Sequence, residues 1–181
     1  VSAIIADETA MNATLTFAQQ QLWLVNQSSQ SASDYNVPFA LKLRGKLDTE
    51  ALQRALTEIL VRHQVLRTTH HHNNGVPYQQ VNVATPVSLE PIDISHAESG
   101  NDQRQLNELI RKEAQRPFDL YRDHMLRASL VNTGRDEYVL VVILHHIAAD
   151  GWSVNVLGAE LSSLYNAYSK GMTSPLQPMP I

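Results

Sequence analysis

Seven apolar or aromatic residues run without a break from Tyr138 to Leu144 (Tyr-Val-Leu-Val-Val-Ile-Leu). A short, β-branched run of this kind predicts a strand buried on both faces. Downstream, Leu157, Leu161, Leu164 and Tyr168 recur at helical spacing and predict a helix over 154–168. The clearest helical stripe lies earlier, in Leu52, Ala55, Leu56, Ile59, Leu60 and His63, with Glu58 and Arg62 beside it. Its entry signals are complete: Asp48 as N-cap, Glu50 in the first turn, and Leu47 placed to staple onto Leu52. Two weaker helices are predicted. One follows Thr16 as N-cap and uses Phe17, Leu22, Trp23 and Val25 as its apolar side. The other covers 102–115 with Leu106, Leu109 and Ile110, and Pro117 stops it.

Shorter alternating or β-branched runs predict the remaining strands. Tyr35–Leu43 is one, ended by Gly45. Residues 68–72 and 76–81 form a hairpin around Asn73-Asn74-Gly75. Met125–Val131 places Leu126, Ala128 and Leu130 on one side, and Thr133-Gly134-Arg135-Asp136 turns the chain into the central strand. Ser28–Asp34 reads as a polar loop, and Thr85–His96, with Pro86 and Pro91, as an irregular connection. Val1–Ala13 is weakly patterned and reads as a linker or loosely docked arm. Gly171 suits a helix end, and Pro175, Pro178 and Pro180 forbid continuation. The order of elements implies an α/β (α+β) fold: a two-layer mixed sheet with packed helices.

Composition narrows the class. A length of 181 residues with 43% hydrophobic content suits one globular domain. A net charge of −4 gives no basic surface for nucleic acid or an anionic membrane. The absence of cysteine excludes disulfides and thiolate chemistry. No apolar run approaches the roughly 18–20 residues of a membrane span, and the first residues lack the basic and apolar regions of a signal peptide. The expectation is a soluble, cytoplasmic protein.

The candidate chemistry sits where the central strand ends, in His145-His146-Ile147-Ala148-Ala149-Asp150-Gly151-Trp152-Ser153. Side chains alternate along a strand, so His145 and His146 should point to opposite faces. One can then face a cleft while the other packs inward. A neutral imidazole can accept a proton from an attacking amine or hydroxyl, which suits acyl transfer. With no cysteine and no Gly-x-Ser-x-Gly elbow, direct transfer between two bound substrates fits better than a covalent acyl-enzyme. His70, His71 and His72 raise the idea of a metal. Consecutive strand histidines cannot converge on one ion, however, so they read as a solvated strand edge. The opposed directions of His145 and His146 argue against zinc there too.

His-His-x-x-x-Asp-Gly, extended here to Asp-Gly-Trp-Ser, resembles the signature of condensation domains of nonribosomal peptide synthetases. That group shares the chloramphenicol-acetyltransferase-like fold. Thr16-Phe17-Ala18-Gln19-Gln20-Gln21-Leu22-Trp23 resembles the family's first motif, with Thr16 for the usual Ser and Gln21 for the usual Arg. Arg62-His63-Gln64-Val65-Leu66-Arg67-Thr68 resembles the second, with Gln64 for Glu. The resemblance implies that His146 is catalytic, as base or as orienter of the acceptor amine, and that His145 is structural. It implies that Asp150 pairs with Arg62, that Arg67 is a further internal ion-pairing residue, and that the Gly151 N–H polarises the thioester beside a sharp turn.

The same resemblance implies the setting. No cofactor is bound directly; substrates arrive on phosphopantetheine arms of donor and acceptor carrier proteins, and an adenylation domain lies adjacent. Asp-Gly-Trp-Ser and Tyr35-Asn36-Val37-Pro38 look like domains joining an L-configured donor to an L-configured acceptor. Complete domains have two lobes forming a V, of which 14–181 would be the N-terminal one. Without the C-terminal lobe the fragment is expected to be inactive and, through its exposed face, prone to self-association. Two other readings stand beside this one: a stand-alone acyltransferase using coenzyme A thioesters, and a non-catalytic interaction module.

Overall fold

The computed structural model describes residues 12–27, 33–95 and 102–179. The first residues expected to be arm, 1–11, lie outside these, as do 28–32 of the polar loop, His96 and Ile181. Strand β1 (Asn12–Thr14) leads into α1 (Phe17–Asn26), β2 (Asn36–Arg44), α2 (Thr49–Arg62), a 3-10 turn (Gln64–Arg67), β3 (Thr68–Asn73) and β4 (Val76–Val81). Then come β5 (Ile92–Asp93), α3 (Asp102–Gln115), β6 (Leu126–Gly134), β7 (Glu137–His145) and α4 (Gly151–Tyr168).

These strands build two sheets. β2-β7-β6-β5 is mixed: β7 pairs antiparallel with both neighbours, and the short β5 runs parallel to β6. β1-β4-β3 is antiparallel. Asn12 and Ala13, read from sequence as the end of an arm, are therefore strand residues paired with β4. The β3–β4 hairpin turns where expected, with Asn74 and Gly75 at φ of 50° and 81°, the left-handed values such a two-residue turn needs.

β7 is the spine of the molecule. Leu140, Val142 and Leu144 face one core with Leu56, Ile59 and Leu60 of α2 and Leu157, Leu161 and Leu164 of α4. Val139, Val141 and Ile143 face a second core with Trp23 of α1, Leu106 of α3, Phe118 and Met125. A strand apolar on both faces needs cover on both, so helices pack against the mixed sheet on two sides. The caps explain where two helices begin. Thr16 and Gln19 form a reciprocal capping box on α1, and Asp48 accepts from the Ala51 N–H of α2. α4 begins at Gly151 rather than Val154 and closes at Gly171 (φ 68°), where the Met172 N–H returns to the Ala167 carbonyl.

Candidate active site at the end of the central strand

The last register pair of β2 and β7 is Asn36 with His145. One residue further, where the chain leaves β7 and turns, the His146 N–H still donates to the Tyr35 carbonyl at 2.8 Å. Alternation then does what the sequence implies. His145 is 0% exposed, and His146 is exposed. His145 lies edge-on to Phe118 at 5.6 Å between ring centroids. Its Nδ1 accepts the Ile147 N–H at 3.1 Å, which requires the proton of the neutral ring to sit on Nε2.

Behind His145 lies a residue whose place sequence reasoning missed. His70 is not on a solvated edge; it is 0% exposed, with its backbone N–H bonded to the Leu120 carbonyl at 2.8 Å. The hairpin turns this end of β3 inward, and only His72 is exposed, beside Trp23 and Tyr121. Burial pushes His70 down to about 4, helped by His71. Burial likewise pushes His145 down to about 4, with His70, His146 and Arg127 adding smaller repulsions. Both are neutral at pH 7. Both ring nitrogens of His70 and Nε2 of His145 are buried without a hydrogen-bond partner among the described residues.

The ion pair expected between Arg62 and Asp150 is absent. Asp150 is exposed and caps α4: its Oδ1 accepts from the Ser153 N–H at 2.9 Å and the Ser153 hydroxyl at 2.8 Å. Those bonds, the backbone one first, hold its carboxyl below the ordinary range. Arg62, the last residue of α2, instead meets Glu160 of α4 at 3.3 Å and donates to the Gln177 carbonyl at 2.8 Å. The other Glu160 oxygen takes His63 Nε2 at 2.6 Å. Side-chain exposures of 12–16% place this triangle largely out of water. The reason is the way α2 lies along α4. Contact at Glu160 puts Arg62 about 15 Å along the helix axis from Asp150, beyond a guanidinium's reach. The sequence did hold a signal: Glu160 adjoins the Leu157–Leu161–Leu164 stripe, and His63 lies on the α2 stripe.

Arg67 is not ion-paired among the described residues. Burial lowers its pKa, and its Nη1 donates to the Asn82 carbonyl, which ties the 3-10 turn to the strand after the hairpin. Gly151 is the first residue of α4 and does not take the left-handed backbone that demands glycine; a Cβ there would meet nothing within 4 Å. The expected sharp glycine turn is thus a helix start. What remains of that expectation is an amide in a first helical turn, where N–H groups lack intrahelical partners.

The arrangement offers an exposed imidazole at a strand end, a neutral buried imidazole beneath it, and a helix N-terminus five residues on. No helix among the described residues is long and apolar enough to cross a membrane. The family model described as "Condensation domain" matches residues 9–180. A linear gramicidin synthase of Brevibacillus parabrevis is 40% identical over 167 residues, which is 92% of this chain and 2% of that protein. Isonitrile lipopeptide synthase of Mycobacterium tuberculosis is 40% identical over 98% of this chain and 7% of its own length. Among solved structures, the X-domain from teicoplanin biosynthesis superposes with a TM-score of 0.85 at 30% identity, over 99% of this chain and 38% of that one. The first condensation domain of the calcium-dependent antibiotic synthetase, in complex with a substrate analogue, gives 0.82 at 25% identity, over 93% and 40%. The chain thus spans a few per cent of these curated relatives and about two fifths of these solved chains.

Proposed function

The chain belongs to the condensation domain family, and from that premise we propose that it is the N-terminal lobe of a peptide-bond-forming acyltransferase in nonribosomal peptide synthesis. The lobe starts no later than Asn12, because β1 pairs with β4. The reaction is attack of an acceptor amine on an aminoacyl or peptidyl thioester, giving an amide and a free thiol. Both substrates ride on phosphopantetheine arms of carrier proteins, with an adenylation domain adjacent, and no cofactor is bound directly. The observation that carries this reading is His146, exposed at the end of β7 while its neighbour His145 is wholly buried.

In this reading His146 accepts or orients the amine proton. His145 supports it from below, and the Gly151 amide faces the carbonyl oxygen as charge develops. Asp150 keeps that amide in place by capping α4. Arg62 acts through Glu160, and Arg67 through the backbone after the hairpin. The donor and acceptor are both L-configured, and the chain alone is inactive because a C-terminal lobe must supply the other wall of the substrate tunnel.

The test uses the chain alone and the natural protein that carries it. Each receives a donor carrier loaded with an L- or D-aminoacyl thioester and an acceptor carrier loaded with an L-amino acid. Mass spectrometry of the acceptor carrier should show dipeptide only with the natural protein and only with the L-donor. Product from D-donors overturns the stereochemical part, and product from the chain alone overturns the need for a second lobe. A specific likeness favours one second reading, an interaction module: the teicoplanin X-domain, which this chain resembles, is also solved as a complex with OxyB. Absence of dipeptide from the natural protein across several amino acids would select that reading.

A further inference from the structure

At the end of β2 remote from the motif histidines, a cleft of about 380 Å³ opens between the strand and α4. Leu140, on its floor, lies five strand residues before His145, a separation of about 17 Å. Leu52, Leu140 and Leu161 are buried at the bottom, and Leu41, Leu43 and Leu47 form half-buried walls. The volume falls within the roughly 300–1,000 Å³ of small-molecule sites.

From α4 the cleft takes Gly158, Leu161, Ser162 and Tyr165, one stripe at helical spacing. Gly158 is the informative member. Glycine inside a helix is less stable than alanine, yet a Cβ at Gly158 would meet nothing within 4 Å. Packing within the chain gives no reason for glycine here, and its missing side chain leaves the cleft open.

The polar groups gather at one end. The Tyr165 hydroxyl accepts the Asp48 N–H at 3.2 Å, which leaves its own O–H to donate and sets it beside the Lys46–Asp48 bend. Lys46 is exposed and has no carboxylate partner among the described residues. The charged residues lining the cleft, Lys42, Arg44 and Lys46, are all basic, in a chain of net charge −4. Glu137 takes up Arg44 at 3.6 Å, and the nearby Asp48 carboxylate is turned to cap α2. The charge left over at this mouth is positive. β2 is also an edge strand, but Pro38, Lys42 and Arg44 along it oppose addition of another strand, which favours a small ligand.

We propose that this cleft binds a straight-chain aliphatic carboxylate, at a site separate from the strand-end histidines. The carboxylate meets the Lys46 ammonium and the Tyr165 O–H. The chain runs along α4 toward Gly158, about 10 Å away along the helix axis, between Leu161 and the Leu41–Leu43 wall. Each methylene taken out of water tightens binding about four-fold until the space beside Gly158 is filled. The site goes beyond the acyl-transfer reading and stands without it, because its occupancy is read directly.

The test is photo-crosslinking of the natural protein with octanoic acid bearing a diazirine near the end of its chain, followed by peptide mapping. Adducts should fall within residues 41–47 or 158–165, and free octanoate should suppress them. Hexanoate, two methylenes shorter, should compete about ten-fold less well or worse, and octylamine should not compete. Gly158→Leu, which fills the cleft, and Lys46→Gln should each cut labelling at least five-fold. Neither change removes a buried side chain, so both variants keep the fold. Adducts confined to other segments, no adducts, or equal labelling in wild type and Gly158→Leu overturns the proposal. Competition by octylamine as strong as that by octanoate overturns it too, because the mouth would then not select an anion.

Discussion

Two groups of histidines lie near the end of β7, and they solve the cost of burial in opposite ways. His70 and His145 are fully buried with three ring nitrogens unpartnered among the described residues, and they stay neutral because protonation would place a charge in an apolar layer. His63 is nearly as enclosed but faces Glu160, which is shared with Arg62. There, the ring meets a hydrogen-bonding carboxylate that is itself paired with a guanidinium. The comparison teaches that histidine count and spacing do not reveal role; what each ring meets on the neighbouring element does.

The largest expected effect separates the groups by pH. Folded values of about 4 for His70 and His145, against an ordinary 6.5, mean that neither folded nor unfolded chain takes up these protons above 6.5. Between 6.5 and 4 the unfolded chain binds protons that the folded one refuses, so stability falls as pH falls, by on the order of 3 kcal/mol per group. Burial alone would raise Glu160, but His63 and Arg62 outweigh it and hold the carboxyl below its ordinary 4.5. Its contribution is therefore lost only below about 4.5, under the histidine window. Urea melts of the chain from pH 7.5 to 4 should show the slope, and His70→Phe should cut it by about half, leaving the His145 part. An unchanged slope in that variant breaks the comparison.

Next in size is the triangle. Glu160→Ala strands Arg62 against a single carbonyl and should cost about 3 kcal/mol in the same melts. Asp150→Ala removes only a solvent-exposed cap and should cost clearly less. The reverse ranking would restore the Arg62–Asp150 pair.

The smallest effect sharpens the contrast, because one substitution changes sign. At pH 7, His63→Phe leaves Glu160 half-paired and should cost about 1–2 kcal/mol. His70→Phe removes two unpartnered nitrogens and should be neutral or stabilising by up to about 1 kcal/mol. Equal losses at both positions would mean that His70 has a partner that its surroundings do not reveal.

Much of this fold was legible because it is local. The α2 stripe, the Asp48 and Thr16 caps, the Asn74-Gly75 turn and the bounds of α3 are written in neighbouring residues, and each forms as read. So is the contrast of a buried His145 with an exposed His146, which pleat alternation anticipates although β7 ends at His145. What failed was non-local. Arg62 pairs with Glu160 because of the register in which two helices pack, a quantity absent from either helix's own sequence. His70 is buried because β3 passes under the 118–125 segment, and β5, two residues long, exists only because β6 is there to pair with it. The start of α4 was misread for a different reason: Asp150-Gly151 carries both a turn signal and a capping signal, and Ser153 decides for the cap.

The central claim is that the exposed histidine performs the chemistry while the buried one supports it. Its most direct measurement is the single-turnover rate of dipeptide formation in the natural protein carrying His146→Ala, with circular dichroism confirming an unchanged fold. The account predicts a loss of at least about 100-fold, the lower end of what a positioned proton acceptor contributes. A rate equal to that of the unmodified protein would contradict it and leave His146 as a surface residue of a structural motif.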